Sequence, residues 1–307
     1  MKIRLSVLFF FLLSNGPIQA QSTGLPVKVR QKDNKQSNMI LLKRVEKGLQ
    51  LQRKGADEIL DLPLSDISAI EFVLPDSWGQ AQKLVKQNQF EKAAVELKPI
   101  ITPLLSYLDL PNSDAALFAM NFADILRQAD QWSEAADIYS KIRSVDGSPQ
   151  ATDATLWMAY CLVNQGKLEE TTHILKSHTT LKHADPLFGL EYLVRAKVSF
   201  AQQHYDVAID EIAQVIAFSR IEAEWYAESL FISAGCYEAL DDKKNASPSS
   251  ETEGTDDKKN DKKVVKTKKE VAQSIYQELS RGFPNSPWTK KSQSKITPSQ
   301  DATKPSY

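Results

Sequence analysis

Five alanines held at one register, Ala81, Ala123, Ala159, Ala196 and Ala234, most restrict what this chain can fold into. They stand 42, 36, 37 and 38 residues apart. Twelve residues after each of the first four comes another small residue: Ala93, Ala135, Thr171 and Ala208. Three positions before each of those stands a bulky one: Phe90, Trp132, Leu168 and Tyr205. From Pro75 to about residue 282 the apolar residues recur at helical spacing, which predicts helices throughout. Small side chains where two helices cross let the backbones approach, and the bulky residue plugs the gap beside them. A recurrence of this length describes helix pairs that bury their apolar faces on one another.

The pattern resembles the tetratricopeptide repeat (TPR), whose first helix carries a small residue and whose second opens with an aromatic and then an alanine. The resemblance covers residues 75–292 and implies a mainly α protein. It would be a TPR-like α-solenoid of about five helix pairs, preceded by a small β-rich module. Leu84, Leu126 and Leu162 complete the seam in three repeats, whereas the fourth has Ser199 followed by Phe200. Pro99 and Pro103 should kink or break the second helix of the first repeat. The fifth repeat is split: its first helix is expected to end near Leu240, and its second resumes with Ala272 at the packing position. The polar stretch 241–265 between them cannot bury a core and should be disordered, as should the tail 293–307. The run from Phe283 to Trp288 resembles the inter-repeat turn of bacterial envelope proteins of this class.

Residues 1–20 read as a cleaved signal peptide: Lys2 and Arg4, an apolar run from Leu5 to Leu13, a breaker at Gly16-Pro17, and small Ala20 before the cut. The mature chain should begin near Gln21, outside the cytoplasm and soluble, with no other membrane-length apolar run. Residues 21–74 switch to strand-like alternation in five short runs: Val27 to Arg30, Met39 to Leu42, Leu49 to Gln52, Ile59 to Leu62 and Ile67 to Phe72. This module could be SH3-like or Sm-like.

Lys and Arg total 38 against 39 Asp and Glu, so no global field would recruit nucleic acid. Cys161 and Cys236 occupy equivalent positions two repeats apart, too far for a disulfide, and should be buried free thiols. His173, His178 and His183 are five apart and cannot share a helix face, which argues against a metal site and for surface histidines. Glu224 and Glu228 read as a solvated carboxylate pair. Without a phosphate-cradling glycine motif or a nucleophile elbow, no catalytic residues, cofactor or metal are expected.

Transferring the register of the TPR family's inner face implies a partner-binding groove built from Gln82, Lys86, Met120, Asp124, Arg127, Tyr160, Asn164 and Lys197. The first reading is thus an exported, non-enzymatic scaffold or adaptor for envelope proteins. A second is a carbohydrate- or ligand-binding protein that uses the β module. A third, a hydrolase with a spatially assembled site, would need a deep pocket holding a carboxylate or histidine of shifted pKa.

Overall fold

The computed structural model describes residues 24–246 and 267–296. The expected leader, and the parts of the expected insert and tail at 247–265 and 297–307, lie outside the described residues. The chain divides into two compact units, residues 1–76 with 110–115, and residues 77–109 with 116–307.

The first unit contains a five-stranded antiparallel sheet: β1 (Leu25–Gln31), β2 (Gln36–Val45), β3 (Gly48–Arg53), β4 (Ile59–Pro63) and β5 (Ile67–Phe72). The strand order is β4-β3-β2-β1-β5, with β4 and β5 at the two edges. Period-two alternation turns Val27, Val29, Met39, Leu41, Leu49, Leu51, Ile70 and Phe72 into a buried face. Gly48 is required at the β2–β3 turn, because a Cβ there would lie 2.3 Å from the carbonyl oxygen of Leu62. A 3-10 turn, Leu64–Asp66, leads into β5. The edge of β5 is met by the distant segment 110–115. Ile70 forms a parallel bridge with Ser113, the Phe72 N–H donates to Asp114 Oδ1 at 3.0 Å, and Asn112 Nδ2 donates to the Ser68 carbonyl at 2.9 Å. The contiguous module expected at 21–74 therefore omits six residues that reach it from between two helices.

The second unit is helical. Its consecutive helices are α1 (Asp76–Lys86), α2 (Phe90–Ile101), α3 (Ala115–Gln128), α4 (Trp132–Arg143), α5 (Ala151–Asn164), α6 (Leu168–Ser177), α7 (Phe188–Ala201), α8 (Tyr205–Phe218), α9 (Tyr226–Ala246), α10 (Lys268–Gly282) and α11 (Pro287–Ser292). From α5 to α10 each helix packs on the one before it, α9 and α10 included although the residues that join them are not described. The result is a TPR-like stack of helix pairs.

The small residues sit where close approach demands them. Ala81, Ala93, Ala123, Ala135, Ala159, Thr171, Ala196, Ala208, Ala234 and Ala272 all have 0% of their surface exposed. Thr171 satisfies its hydroxyl locally, donating to the Lys167 carbonyl at 2.8 Å. The turn inside each of the first four pairs also repeats. Asn88, Asp130, Gly166 and Gln203 have φ of 56°, 57°, 75° and 61°, each two residues before the bulky residue that opens the next helix. In the same turns the N–H of Gln89, Gln131, Lys167 and His204 donates to the carbonyl of Leu84, Leu126, Leu162 and Ser199. The fourth repeat thus keeps the register that Ser199 had left open. That serine sits in the leucine position and donates to Glu211 at 2.7 Å.

Three expected boundaries move. Helix α2 runs through Pro99 to Ile101 and then tightens into a 3-10 helix, Thr102–Tyr107, with Pro103 in its first turn, where a missing N–H costs least. Helix α9 continues to Ala246, six residues past the expected end. Beyond α11, Gln293–Lys295 form a 3-10 turn rather than the start of a disordered tail, and Lys295 pairs with Glu238 at 2.8 Å.

Cys161 and Cys236 are free and buried, and burial pushes each thiol up to about 12. They are small packing residues.

If the crossings limit side-chain size, Ala135→Leu should cost about 1–3 kcal/mol through overpacking. Trimming exposed Val95 to alanine should stay within about 0.5 kcal/mol. Urea denaturation of both variants checks the contrast.

Candidate functional site

Within the helical unit, the C-terminal ends of α3 and α5, the turns that follow α1 and α3, the segment entering α9, and α11 surround a cavity of about 470 Å³. Four of the chain's five tryptophans line it: Trp132 at the start of α4, Trp157 on α5, Trp225 just before α9, and Trp288 on α11. Tyr160 joins them, with ring centroids 6.0 Å from Trp132 and 5.5 Å from Trp157, both edge to face. Trp157 and Trp225 lie 6.2 Å apart. These rings come from the second, third and fifth pairs, so the stack curls until α3 and α5 meet the entry to α9.

Beneath the rings lies a polar network in which Arg127 and Glu228 are buried, Asp124 and Lys197 are partly buried and Glu224 is exposed. Arg127, 7% exposed, places its guanidinium 3.8 Å from the Trp157 ring centroid and pairs with Glu224 at 2.9 Å. Asp124, one helical turn before it, lies 3.8 Å from the same guanidinium and accepts a 2.5 Å hydrogen bond from the Tyr139 hydroxyl. Glu228, 2% exposed, takes Lys197 Nζ on one oxygen and the Tyr160 hydroxyl, at 2.6 Å, on the other. Lys197 Nζ also sits 4.7 Å from the Tyr160 ring centroid. Arg127 Nε, by contrast, is buried without a hydrogen-bond partner.

Burial works against the charge on Arg127, yet Glu224, Tyr139 and Asp124 together outweigh it and hold its pKa above the usual value. Burial, reinforced by the neighbouring carboxylates Asp124 and Glu228, lifts the Tyr139 and Tyr160 phenols well above theirs. Loss of water raises the Glu224 carboxyl, with Arg127 pulling the other way. Both Glu224 oxygens are engaged by the guanidinium, so this carboxylate serves as a counter-ion and is not placed as a free acid.

Of the eight groove positions, Arg127, Tyr160 and Asn164 line the cavity, and Lys197 and Asp124 belong to the network beneath it. Gln82, Lys86 and Met120 do not line it. Met120 is buried one helical turn before Asp124, while Lys86 is exposed and Gln82 half-buried. Trp132 opens a helix and Trp225 and Trp288 lie at helix starts, where a bulky residue reads as a packing plug, and Trp157, mid-helix on α5, reads as core. Of the expected solvated carboxylate pair, Glu224 is exposed and Glu228 is buried, and each partners a cation donated by an earlier repeat. His173, His183 and His204 are exposed, as expected, with His183 stacked on Phe218 at 4.0 Å, whereas His178 is half-buried and its Nε2 is buried without a partner.

Among the described residues no helix is long and apolar enough to cross a membrane. No protein-family model and no curated protein sequence matches the chain. Among solved structures it is similar to TPR-like repeats described as those of a kinesin light chain from Podosopora anserina. Two such structures share 14% identity with it, cover 67% of this chain and 92% and 93% of their own, and superpose with TM-scores of 0.43 and 0.42. The site described above stands on this chain's own packing.

Two outcomes follow from the network. Lys197→Met should destabilise the protein by about 3–5 kcal/mol, because Glu228 stays buried without its cation. Adding Glu228→Leu should return part of that loss, which a double-mutant cycle in urea measures.

The second outcome concerns pH. Cys161, Tyr139 and Tyr160 hold their protons more tightly in the folded chain, so their stabilisation is complete below the ordinary thiol pKa of about 9. It is lost as pH rises through about 12 for the thiol, with the phenols adding to the loss above about 10. Denaturation midpoints should therefore fall steadily between pH 9 and 11, and a flat profile would contradict the burial of these groups.

Proposed function

We propose that this chain is an exported, non-enzymatic scaffold whose helix-pair stack binds a protein partner in the tryptophan-lined cavity, in the organisation or assembly of a cell envelope. One observation carries the binding reading: four of five tryptophans converge on a single cavity over a floor of internally paired charges. Aromatic side chains that are only partly covered supply large contact area with little entropy to lose on binding. Trp132, Trp225 and Trp288 are of this kind. Paired charges beneath them fix the shape of the floor without demanding a counter-ion from the ligand. The export part rests on the leader read at 1–20. The narrower envelope role is an analogy from the turn at Phe283 to Trp288.

The test uses the native source. A chain recovered outside the cytoplasm should have a mass beginning at Gln21. Mild crosslinking should join it to a defined protein, and that product should be lost from a Trp132→Ala, Lys291→Glu variant, Lys291 lining the cavity 4.2 Å from the Trp288 ring, that circular dichroism shows to be folded. Equal crosslinking by the variant would place the partner elsewhere on the chain and overturn the groove reading.

A further inference from the structure

We propose that the partner segment seated in this groove is a mixed-charge peptide that presents a basic side chain to Asp130 and an acidic one to Lys291. This rests on the groove reading above and names the chemistry of its occupant.

Most charges at the cavity are already answered within the chain. Arg127 is paired with Glu224, and Lys197 with Glu228. Two are not. Asp130 and Lys291 both line the cavity and are exposed, and neither side chain has a hydrogen bond or ion pair among the described residues. Each is held in place. Asp130 stands in the turn after α3 with φ of 57°, its N–H donating to the Arg127 carbonyl at 3.1 Å. Lys291 Nζ lies 4.2 Å from the Trp288 ring centroid. Its helix is pinned by Thr289, whose hydroxyl donates to the Phe283 carbonyl at 2.6 Å.

A ligand that fills the cavity covers both charges. A neutral one would strip water from them and return nothing. One of a single sign would answer one charge and bring a like charge to the other. A nucleic acid fails on this ground, since its phosphates would meet both Asp130 and exposed Glu224. A ligand carrying both signs satisfies both positions. They also set its direction, with the base toward the turn after α3 and the acid toward α11.

The remaining groups fit a peptide. The side-chain amides of Asn88 and Gln128 are exposed at the cavity and unpartnered among the described residues. Each offers a donor and an acceptor, the pair that a peptide N–H and carbonyl require. Arg127 already faces the Trp157 ring and Lys291 the Trp288 ring, whereas no cation among the described residues faces Trp132. Trp132 stands two residues after Asp130, so a ligand Lys or Arg paired with that carboxylate has an open ring beside it.

The experiment follows the indole N–H resonances of the full mature chain by nitrogen-15 NMR, assigned with single Trp→Phe variants. The probe is the acetylated, amidated heptapeptide Gly-Lys-Gly-Leu-Gly-Glu-Gly, whose glycines let its two charged residues span up to about 14 Å. Companion peptides carry glutamine for the lysine, the glutamate or both, and cellotriose stands for an uncharged glycan. Each is raised to on the order of 5 mM. The mixed-charge peptide should shift the Trp132 and Trp288 signals saturably and leave Trp78, outside the cavity, in place. Each glutamine should raise the apparent Kd about two- to fivefold, and the doubly neutral peptide and cellotriose should bind weakest. In an Asp130→Asn variant, replacing the peptide's lysine should cost nothing further. In a Lys291→Gln variant, replacing its glutamate should cost nothing further. Both positions are exposed, so both variants keep the fold. The proposal is overturned if no peptide moves these signals, or if the doubly neutral peptide or cellotriose binds as tightly as the mixed one. It is overturned equally if either charge effect survives removal of its assigned partner. Any of these results, with the native crosslink still lost from the groove variant, discards the mixed-charge occupant and keeps the groove. If that crosslink persists in the groove variant, the groove and its occupant fall together.

Discussion

Two helices can lie close together only where neither carries a side chain larger than the gap, and this steric limit underlies the helical unit. Ten positions, two from each of five pairs, are alanine or threonine with no surface exposed. The same spacing sets where each turn falls, which residue opens each second helix, and hence which side chains the first helices hold out on their other face. The apolar burial that stabilises the stack is available only once these crossings close.

The cavity inherits its geometry from that limit. Residues immediately after the packing alanines, Asp124, Tyr160 and Lys197, occupy one register and so become neighbours from repeat to repeat. With Arg127 they assemble a ladder of polar groups from residues far apart in sequence. The curl of the stack then brings Glu224 and Glu228 across to meet it. Arg127 and Lys197 are neutralised within the floor, while Asp130 and Lys291 stand at the cavity wall beside the rings.

Much of this was legible in the residues. The helical period, the alanine register and all five strands could be read directly, because each depends on local side-chain size or alternation. What could not be read depends on return of the chain in space. Asn112 and Asp114 meeting β5 involve partners more than forty positions away, and no periodicity marks them. Glu224 and Glu228 looked like an ordinary wet face because their cations, Arg127 and Lys197, lie in other repeats. Trp132 was hidden by a different ambiguity: a bulky residue opening a helix satisfies the repeat pattern equally well as a plug or as a wall. Pro99 was over-read, since a single missing N–H near the end of a helix is tolerated where the next turn can tighten.

The contact between Arg127 and Glu224 joins the second helix pair to the fifth across two intervening ones. An ordinary solenoid behaves as a one-dimensional chain in which each repeat senses only its neighbours, so its ends can melt while its middle stays folded. Here the last pair is keyed to the second through a guanidinium, to the third through Tyr160 and to the fourth through Lys197. Opening the last pair leaves buried charge unpaired in the second and fourth. The second to fifth pairs are thereby converted from a row of semi-independent units into one thermodynamic whole, in which partial unfolding is penalised and the cavity exists either complete or not at all.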